Sequence, residues 1–138
     1  MDPAAEIIQS HRDRLLKPDA WYLHSTNWGL KLLDIIIVNY NSTDCLLNCL
    51  KSLYDTLADL SANVFVQDNG SRDGVGRINK QFPEVHFCQN KSNIGFASAV
   101  NNALKQCSAP YVVLLNPDSL VKKGFFISIL QYITDNPN

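Results

Sequence analysis

Long hydrophobic runs are absent from this 138-residue chain. Apolar stretches such as Ile35–Val38 fall far short of the roughly 20 residues that a membrane helix needs, so no transmembrane segment is expected. A surplus of either charge is missing as well: 12 Lys and Arg stand against 13 Asp and Glu, a net charge of −1. That balance excludes the basic stripe of a nucleic-acid binder and the polybasic cluster of a membrane-surface segment. The opening residues Met1–Glu6 lack the basic and apolar regions of a secretory signal, which points to a cytoplasmic protein.

Metal-finger spacing is also lacking. The four cysteines, Cys45, Cys49, Cys88 and Cys107, contain no Cys-x-x-Cys pair. None of His11, His24 and His86 completes a zinc ligand set. Cys45 and Cys49 lie four apart on a predicted helix, where small apolar side chains suit a core face, so buried reduced thiols are expected. With 46% hydrophobic and 18% charged residues, the composition is that of an ordinary globular protein. The length fits one domain at about 150 residues per domain.

Residues 1–33 read as an N-terminal extension. Ile7, Ile8, His11, Leu15 and Leu16 recur at helical spacing until Pro18 stops the pattern. Trp21, Tyr22, Leu23 and Trp28 follow without a period, as aromatics that pack on the domain or as a docking segment for a partner or membrane. From Asp34 onward the chain alternates. β-Branched runs at Ile35–Val38, Val64–Gln67, Val85–Cys88 and Tyr111–Leu115 predict four strands. Leu46, Leu50, Leu53 and Leu57 form one helical stripe between them, and Phe96, Val100, Ala103, Leu104 and Cys107 another. Val75–Phe82 is a weaker helical segment, and Phe125, Phe126, Ile129, Leu130 and Ile133 form a last stripe. Strands alternating with helices predict βαβ units and a parallel sheet.

In such a sheet, ligands bind beyond the carboxyl ends of the strands. All four ends are polar here: Asn39–Asp44, Asp68–Gly74, Gln89–Gly95 and Asn116–Ser119. The first turn has no glycine, so the Gly-x-Gly-x-x-Gly of a dinucleotide site is missing, and Gly74 and Gly76 lie in the wrong place to supply it. No phosphate loop of the Gly-x-x-x-x-Gly-Lys-Ser/Thr type occurs either. NAD and ordinary P-loop chemistry are excluded.

Asp68 precedes Asn69-Gly70, a turn signal, and reads either as the acceptor of that turn or as a carboxylate facing a base or ribose. Asp73 reads as the N-cap of the helix that follows it. Asn101 and Asn102 are poor helix formers and read as a solvated face, the alternative being that one of them ties down the adjacent rim. Gly95 leaves the backbone room to approach a ligand or a neighbouring loop. Asn116-Pro117 marks a turn, and Asp118 after it has the chemistry to hold a hard divalent cation when a diphosphate supplies further oxygens.

Taken in order, Ile35–Asn41, Gln67–Gly74, Asn93–Asn101 and Leu114–Asp118 closely resemble the N-terminal half of family 2 inverting glycosyltransferases. The likeness is greatest to their rhamnosyltransferase-type branch, and it runs from about Asp34 to the end of the chain. It implies a GT-A fold: an α/β, Rossmann-like three-layer sandwich with a mainly parallel sheet, cut before the acceptor subdomain. It implies a nucleotide-diphosphate sugar donor, UDP- or dTDP-linked, a sugar or glycolipid acceptor, and Mg²⁺ or Mn²⁺. Asn39, Tyr40 and Asn41 would line the base pocket, Asp68 would contact the base or ribose, and Asn93 and Gly95 would shape the nucleotide side. Asn116-Pro117-Asp118 stands where the family carries Asp-x-Asp. Asp118 would be the metal ligand, and Asn116 on the nucleotide side replaces the first Asp at the loss of a charge.

The resemblance further implies single displacement with inversion, helped by a carboxylate general base from the family's second half, which is expected beyond Asn138. This piece by itself is expected to bind nucleotide and transfer little. A cytoplasmic place follows, peripheral at the inner membrane face for a lipid-linked acceptor, with self-association where an exposed apolar edge remains. The alternative is a non-enzymatic nucleotide-binding or assembly module. A phosphotransfer receiver would need an acidic pair after the first strand, where Asn39 and Tyr40 stand.

Overall fold

The computed structural model describes residues 31–57 and 60–136. The extension expected over residues 1–33 lies almost wholly outside them, as does its helix.

The described residues form β1 (Leu33–Asn39), α1 (Thr43–Leu57), β2 (Ala62–Asp68), α2 (Arg77–Gln81), β3 (His86–Gln89), α3 (Phe96–Leu104), β4 (Tyr111–Leu115) and α4 (Phe125–Asp135). The strands make one four-stranded sheet in the order β3-β2-β1-β4. Every neighbouring pair is parallel, with Ile36 opposite Phe65 on β2 and Leu114 on β4. The α/β architecture with a parallel sheet is therefore as the alternation of strand and helix patterns predicts.

Side-chain alternation along β1 divides the core in two. Leu33, Ile35 and Ile37 point toward the main cluster, which includes Leu46, Leu50 and Leu53 of α1, Ile78 of α2, and Phe126 and Leu130 of α4. Ile36 points the other way, into a smaller cluster with Phe65 and Ala103 of α3. The predicted leucine stripe of α1 is buried throughout, and burying a leucine contributes roughly 2 kcal/mol apiece.

The α3 stripe is corrected. Ala99, Val100 and Ala103 are its buried residues, whereas Phe96 and Leu104 remain 56% and 42% exposed. Small side chains let this nine-residue helix lie close over β1 and β2. Beyond its reach on the same face, Val112 and Leu114 of β4 are exposed.

The cysteine reading is corrected too. All four thiols are free, but only Cys49 is buried. Cys45 is exposed because it sits in the first turn of α1, at the end of the sheet. Cys88 is exposed on the short edge strand β3, and Cys107 is half-buried.

Candidate functional site

The strand order reverses between β1 and β4: the chain runs outward from β1 through β2 to β3, then returns to the other side of β1. At such a switch point the loops after the two strands diverge and leave a crevice at their carboxyl ends. The carboxyl ends of β1 and β4 carry Asn39–Asn41 and Asn116–Asp118, two of the segments singled out in the sequence.

The loops after β1 and β2 are bound together through Asp68. Its carboxylate is fully buried and receives the Asn39 amide Nδ2 at 2.8 Å and the Ser71 hydroxyl at 2.5 Å on Oδ1. Oδ2 receives the backbone N–H groups of Gly70 at 3.1 Å and Ser71 at 2.8 Å. A carboxylate offers about four lone-pair sites, and here all are engaged within the protein. Asp68 is thus the turn's own acceptor, and it ties the loops after β1 and β2 to each other. Asn39 is equally buried, with Oδ1 sealed from solvent and unpartnered among the described residues.

Tyr40 projects from the same rim and is 50% exposed. Asn41 has φ of 49°, the only positive value at a non-glycine among the described residues. Its N–H donates to the Ser71 hydroxyl at 2.8 Å, and its Oδ1 accepts from the Arg72 N–H at 3.0 Å.

The third loop lies against the second. A Cβ on Gly70 would come within 3.1 Å of the Ser92 backbone, so glycine is required by close approach as well as by its φ of 80°. Asn90 donates to the Asn69 side chain at 2.9 Å. Asn93 is exposed and accepts the Gly95 N–H at 2.9 Å. Around Gly95 the space is open, and its φ of 85° is what demands glycine. The Gly95 carbonyl accepts from Asn69 Nδ2 at 3.3 Å, so the loop after β2 reaches the backbone here. Asn101 is exposed and Asn102 half-buried, as a solvated face predicts.

The fourth loop is held from α1. Cys49 Sγ approaches the Asn116 carbonyl at 3.7 Å, and the Ser52 hydroxyl accepts the Val121 N–H at 2.9 Å. Burial, and then the negative charge of Asp118, push the Cys49 thiol up to about 11. Asp118 is exposed and takes no hydrogen bond or ion pair among the described residues. No group of three or more His, Cys, Asp or Glu side chains gathers there among the described residues. A lone open carboxylate fits a hard divalent cation only where substrate oxygens and water complete the shell, which is the mode Mg²⁺ commonly adopts.

Asp73 is the one clear misreading on this rim. The helix that follows it, α2, is capped by Gly76 with no side-chain hydrogen bond. Asp73 instead accepts the Thr43 N–H at 2.8 Å and the Thr43 hydroxyl at 2.5 Å, so it closes the start of α1. Sequence reasoning also missed Asp34 and Ser71. Asp34 is a fully buried carboxylate that accepts from Asn63 Nδ2 at 2.7 Å and from the N–H groups of Ser108 and Ala109 at 2.6 and 2.8 Å. An Asp inside a β-branched run was the available signal, since charge is rarely buried without partners. A shallow groove at the start of α4, lined by Lys122, Lys123, Phe125 and Tyr132, contains none of the rim residues.

Residues 34–138 match the family described as Glycosyl transferase family 2. Among curated proteins, the chain is 34% identical over 93 residues to the uncharacterized glycosyltransferase YfnE of Bacillus subtilis (strain 168), covering 64% of this chain and 24% of that protein. It is 33% identical over 96 residues to the chondroitin synthase of Escherichia coli, covering 66% and 14%. The chain thus spans a quarter or less of the length of these relatives. Among solved structures, S. aureus TarS superposes with a TM-score of 0.67 at 24% identity, over 77% of this chain and 33% of that one. The Pyrobaculum calidifontis mannosyltransferase PcManGT, in complex with GDP-Man and Mn²⁺, gives 0.67 at 17% identity, over 97% and 44%. At these identities the superpositions establish a shared fold, the GT-A fold of glycosyltransferases. Among the described residues no helix is long and apolar enough to cross a membrane.

Proposed function

The chain belongs to glycosyl transferase family 2, and on that footing we propose that residues 34–138 form the donor-binding part of an inverting, metal-dependent hexosyltransferase. The donor is a UDP- or dTDP-linked sugar, with dTDP-rhamnose as the donor to test first, and the acceptor is a sugar or glycolipid hydroxyl on the cytoplasmic side. The observation that carries this reading is the reversal of strand order between β1 and β4. Such a reversal is where a ligand crevice is expected, here between Asn39–Asn41 on one side and an unpartnered Asp118 on the other.

In this reading Asn39, Tyr40 and Asn41 face the base, on loops that Asp68 locks to each other. Asn93 and Gly95 border the nucleotide from the third strand's loop, and Asn116 from the fourth. Asp118 would hold Mg²⁺ or Mn²⁺, whose chemistry when bound is to neutralise charge growing on the leaving diphosphate. Asn116 in place of an acidic partner leaves Asp118 to supply the protein's charge there. In the displacement, the acceptor oxygen bonds to the anomeric carbon as the bond from that carbon to the diphosphate oxygen breaks. The hydroxyl proton passes to a carboxylate base, a role we assign to none of the described residues.

The test is a calorimetric titration of UDP and dTDP, with and without Mn²⁺, on the wild-type chain and on Asp118→Ala. Binding that needs the metal and disappears in the variant is the expected result. A folded wild-type chain that takes up neither nucleotide would overturn the reading.

A further inference from the structure

The Ser71 hydroxyl occupies a junction that the donor-site reading leaves unused. It donates to Asp68 Oδ1 at 2.5 Å and accepts from Asn39 Nδ2 at 3.2 Å and from the Asn41 N–H at 2.8 Å. One donor and two acceptor sites are all that a hydroxyl possesses, so Ser71 is saturated. It is 7% exposed, and its carbonyl also accepts Gln89 Nε2 at 3.2 Å, which brings the end of β3 into the same knot.

The strained partner is Asn41. Its φ of 49° lies in the left-handed region, which asparagine adopts more readily than most side chains but still at a cost that surrounding bonds must meet. Both of its anchoring bonds go to the loop after β2: the N–H to Ser71 and Oδ1 to the Arg72 N–H. The sequence neighbours of Asn41 contribute no hydrogen bond to its side chain or its N–H among those seen. The shape of the β1 loop is therefore imposed from 30 residues away.

We propose that Ser71 is a positioning residue that sets the Tyr40-Asn41 turn in the conformation required to receive the base of a nucleoside diphosphate. The inference rests on the donor-site reading above. Ser71 itself does not reach the ligand; it holds the Asn41 N–H directly and adds a second acceptor to the Asn39 amide that Asp68 already holds, so removing the hydroxyl loosens Asn41 first. Alanine at position 71 would leave the Asn41 N–H without its acceptor. The left-handed turn is then held by the Arg72 N–H alone.

The experiment compares the full chain with Ser71→Ala and Ser71→Cys by amide hydrogen exchange and by titration with UDP and dTDP in the presence of Mn²⁺. Cysteine fills a similar space while its sulfur is a weak acceptor, so it carries the test if the alanine variant does not fold. Exchange at the Asn41 amide is expected to rise at least about tenfold while Ile36 in β1 keeps its protection. Nucleotide affinity should fall about tenfold, the worth of one well-placed hydrogen bond. Asp34→Asn, which loosens the opposite end of β1, should lower the unfolding midpoint without changing that affinity.

Unchanged affinity in both Ser71 variants overturns the inference while leaving the donor-site reading in place. Retained protection of the Asn41 amide overturns it as well. Should the wild-type chain bind neither nucleotide, the donor-site reading falls, and the exchange at Asn41 still decides whether Ser71 sets the turn.

Discussion

Asp73 caps a helix that begins 30 residues before it. Its carboxylate accepts the N–H of Thr43 at 2.8 Å and the Thr43 hydroxyl at 2.5 Å, filling the place an N-cap side chain usually takes at the first turn of α1. Arg77 reinforces the arrangement from α2, pairing at 2.8 Å with Asp44 in that same turn.

Asp73→Ala should therefore destabilise the chain by about 1 kcal/mol, the usual worth of a helix cap, and lower the melting midpoint by roughly 4 °C. Burial works against the charged form of Asp73, but the hydrogen bonds from Thr43 and the charge of Arg77 outweigh it and hold the pKa below its ordinary value of 3.8. The carboxylate binds fewer protons folded than unfolded. Its contribution is complete above pH 3.8 and is lost as the pH falls through the lower folded value. Melting curves of wild type and Asp73→Asn should differ by a constant amount at neutral pH and converge in acid below 3.8.

The thiols should react in the order of their exposure. At about pH 8, roughly the ordinary thiol range, maleimide should modify Cys45 and Cys88 in the folded chain. Cys49 is buried and pushed up to about 11, so it should label only on unfolding. Cys107, half-buried and raised to about 11 by burial and by Asp34, should fall between them. Peptide mass spectrometry after timed quenching reads the order directly.

Asp34→Ala removes one acceptor from three donors and strands the N–H groups of Ser108 and Ala109 at the entry to β4. Ser108 is exposed and Ala109 half-buried, so water takes up part of what is lost, and a loss of about 1–2 kcal/mol is expected. Asp34→Asn keeps one oxygen and should lose less. Urea denaturation midpoints distinguish the two.

Ile36 and Leu114 are direct partners across β1 and β4, yet they differ in what covers them. Ile36 is 1% exposed beneath α3, and Leu114 is 51% exposed beyond it. Ile36→Ala should cost about 3 kcal/mol, and Leu114→Ala about 1 kcal/mol or less. Equal costs in denaturant titrations would mean that Leu114 is covered in solution.

The strands and the α1 stripe could be read from the chain because they depend on local pattern. β-Branched runs bounded by polar loops, and leucines at helical spacing, report burial wherever the element lies. Boundaries moved only slightly: β1 and β2 each begin two residues before the apolar run, at Leu33 and Ala62, and β3 begins one later, at His86. The stripe on α3 misled because Phe96 and Leu104 are as apolar as any core residue. Their exposure depends on which strands lie beneath the helix, a matter that no period in the sequence encodes.

By itself the sequence determined that this is an alternating α/β chain with a polar rim, and that the rim motifs stand in the order of a glycosyltransferase family. Composition, period and motif order are properties of the chain, and they survive without knowledge of its neighbours. Only the tertiary structure decided what each polar residue on that rim touches. Asp68 spends its lone pairs on its own loops, Asp73 serves a helix far away in sequence, Ser71 holds Asn41, and Asp118 stands open. The reason is physical: a carboxylate or hydroxyl takes its partners from whatever folding brings within about 3 Å, and in a parallel sheet those partners come from the next strand's loop, about 30 residues along the chain.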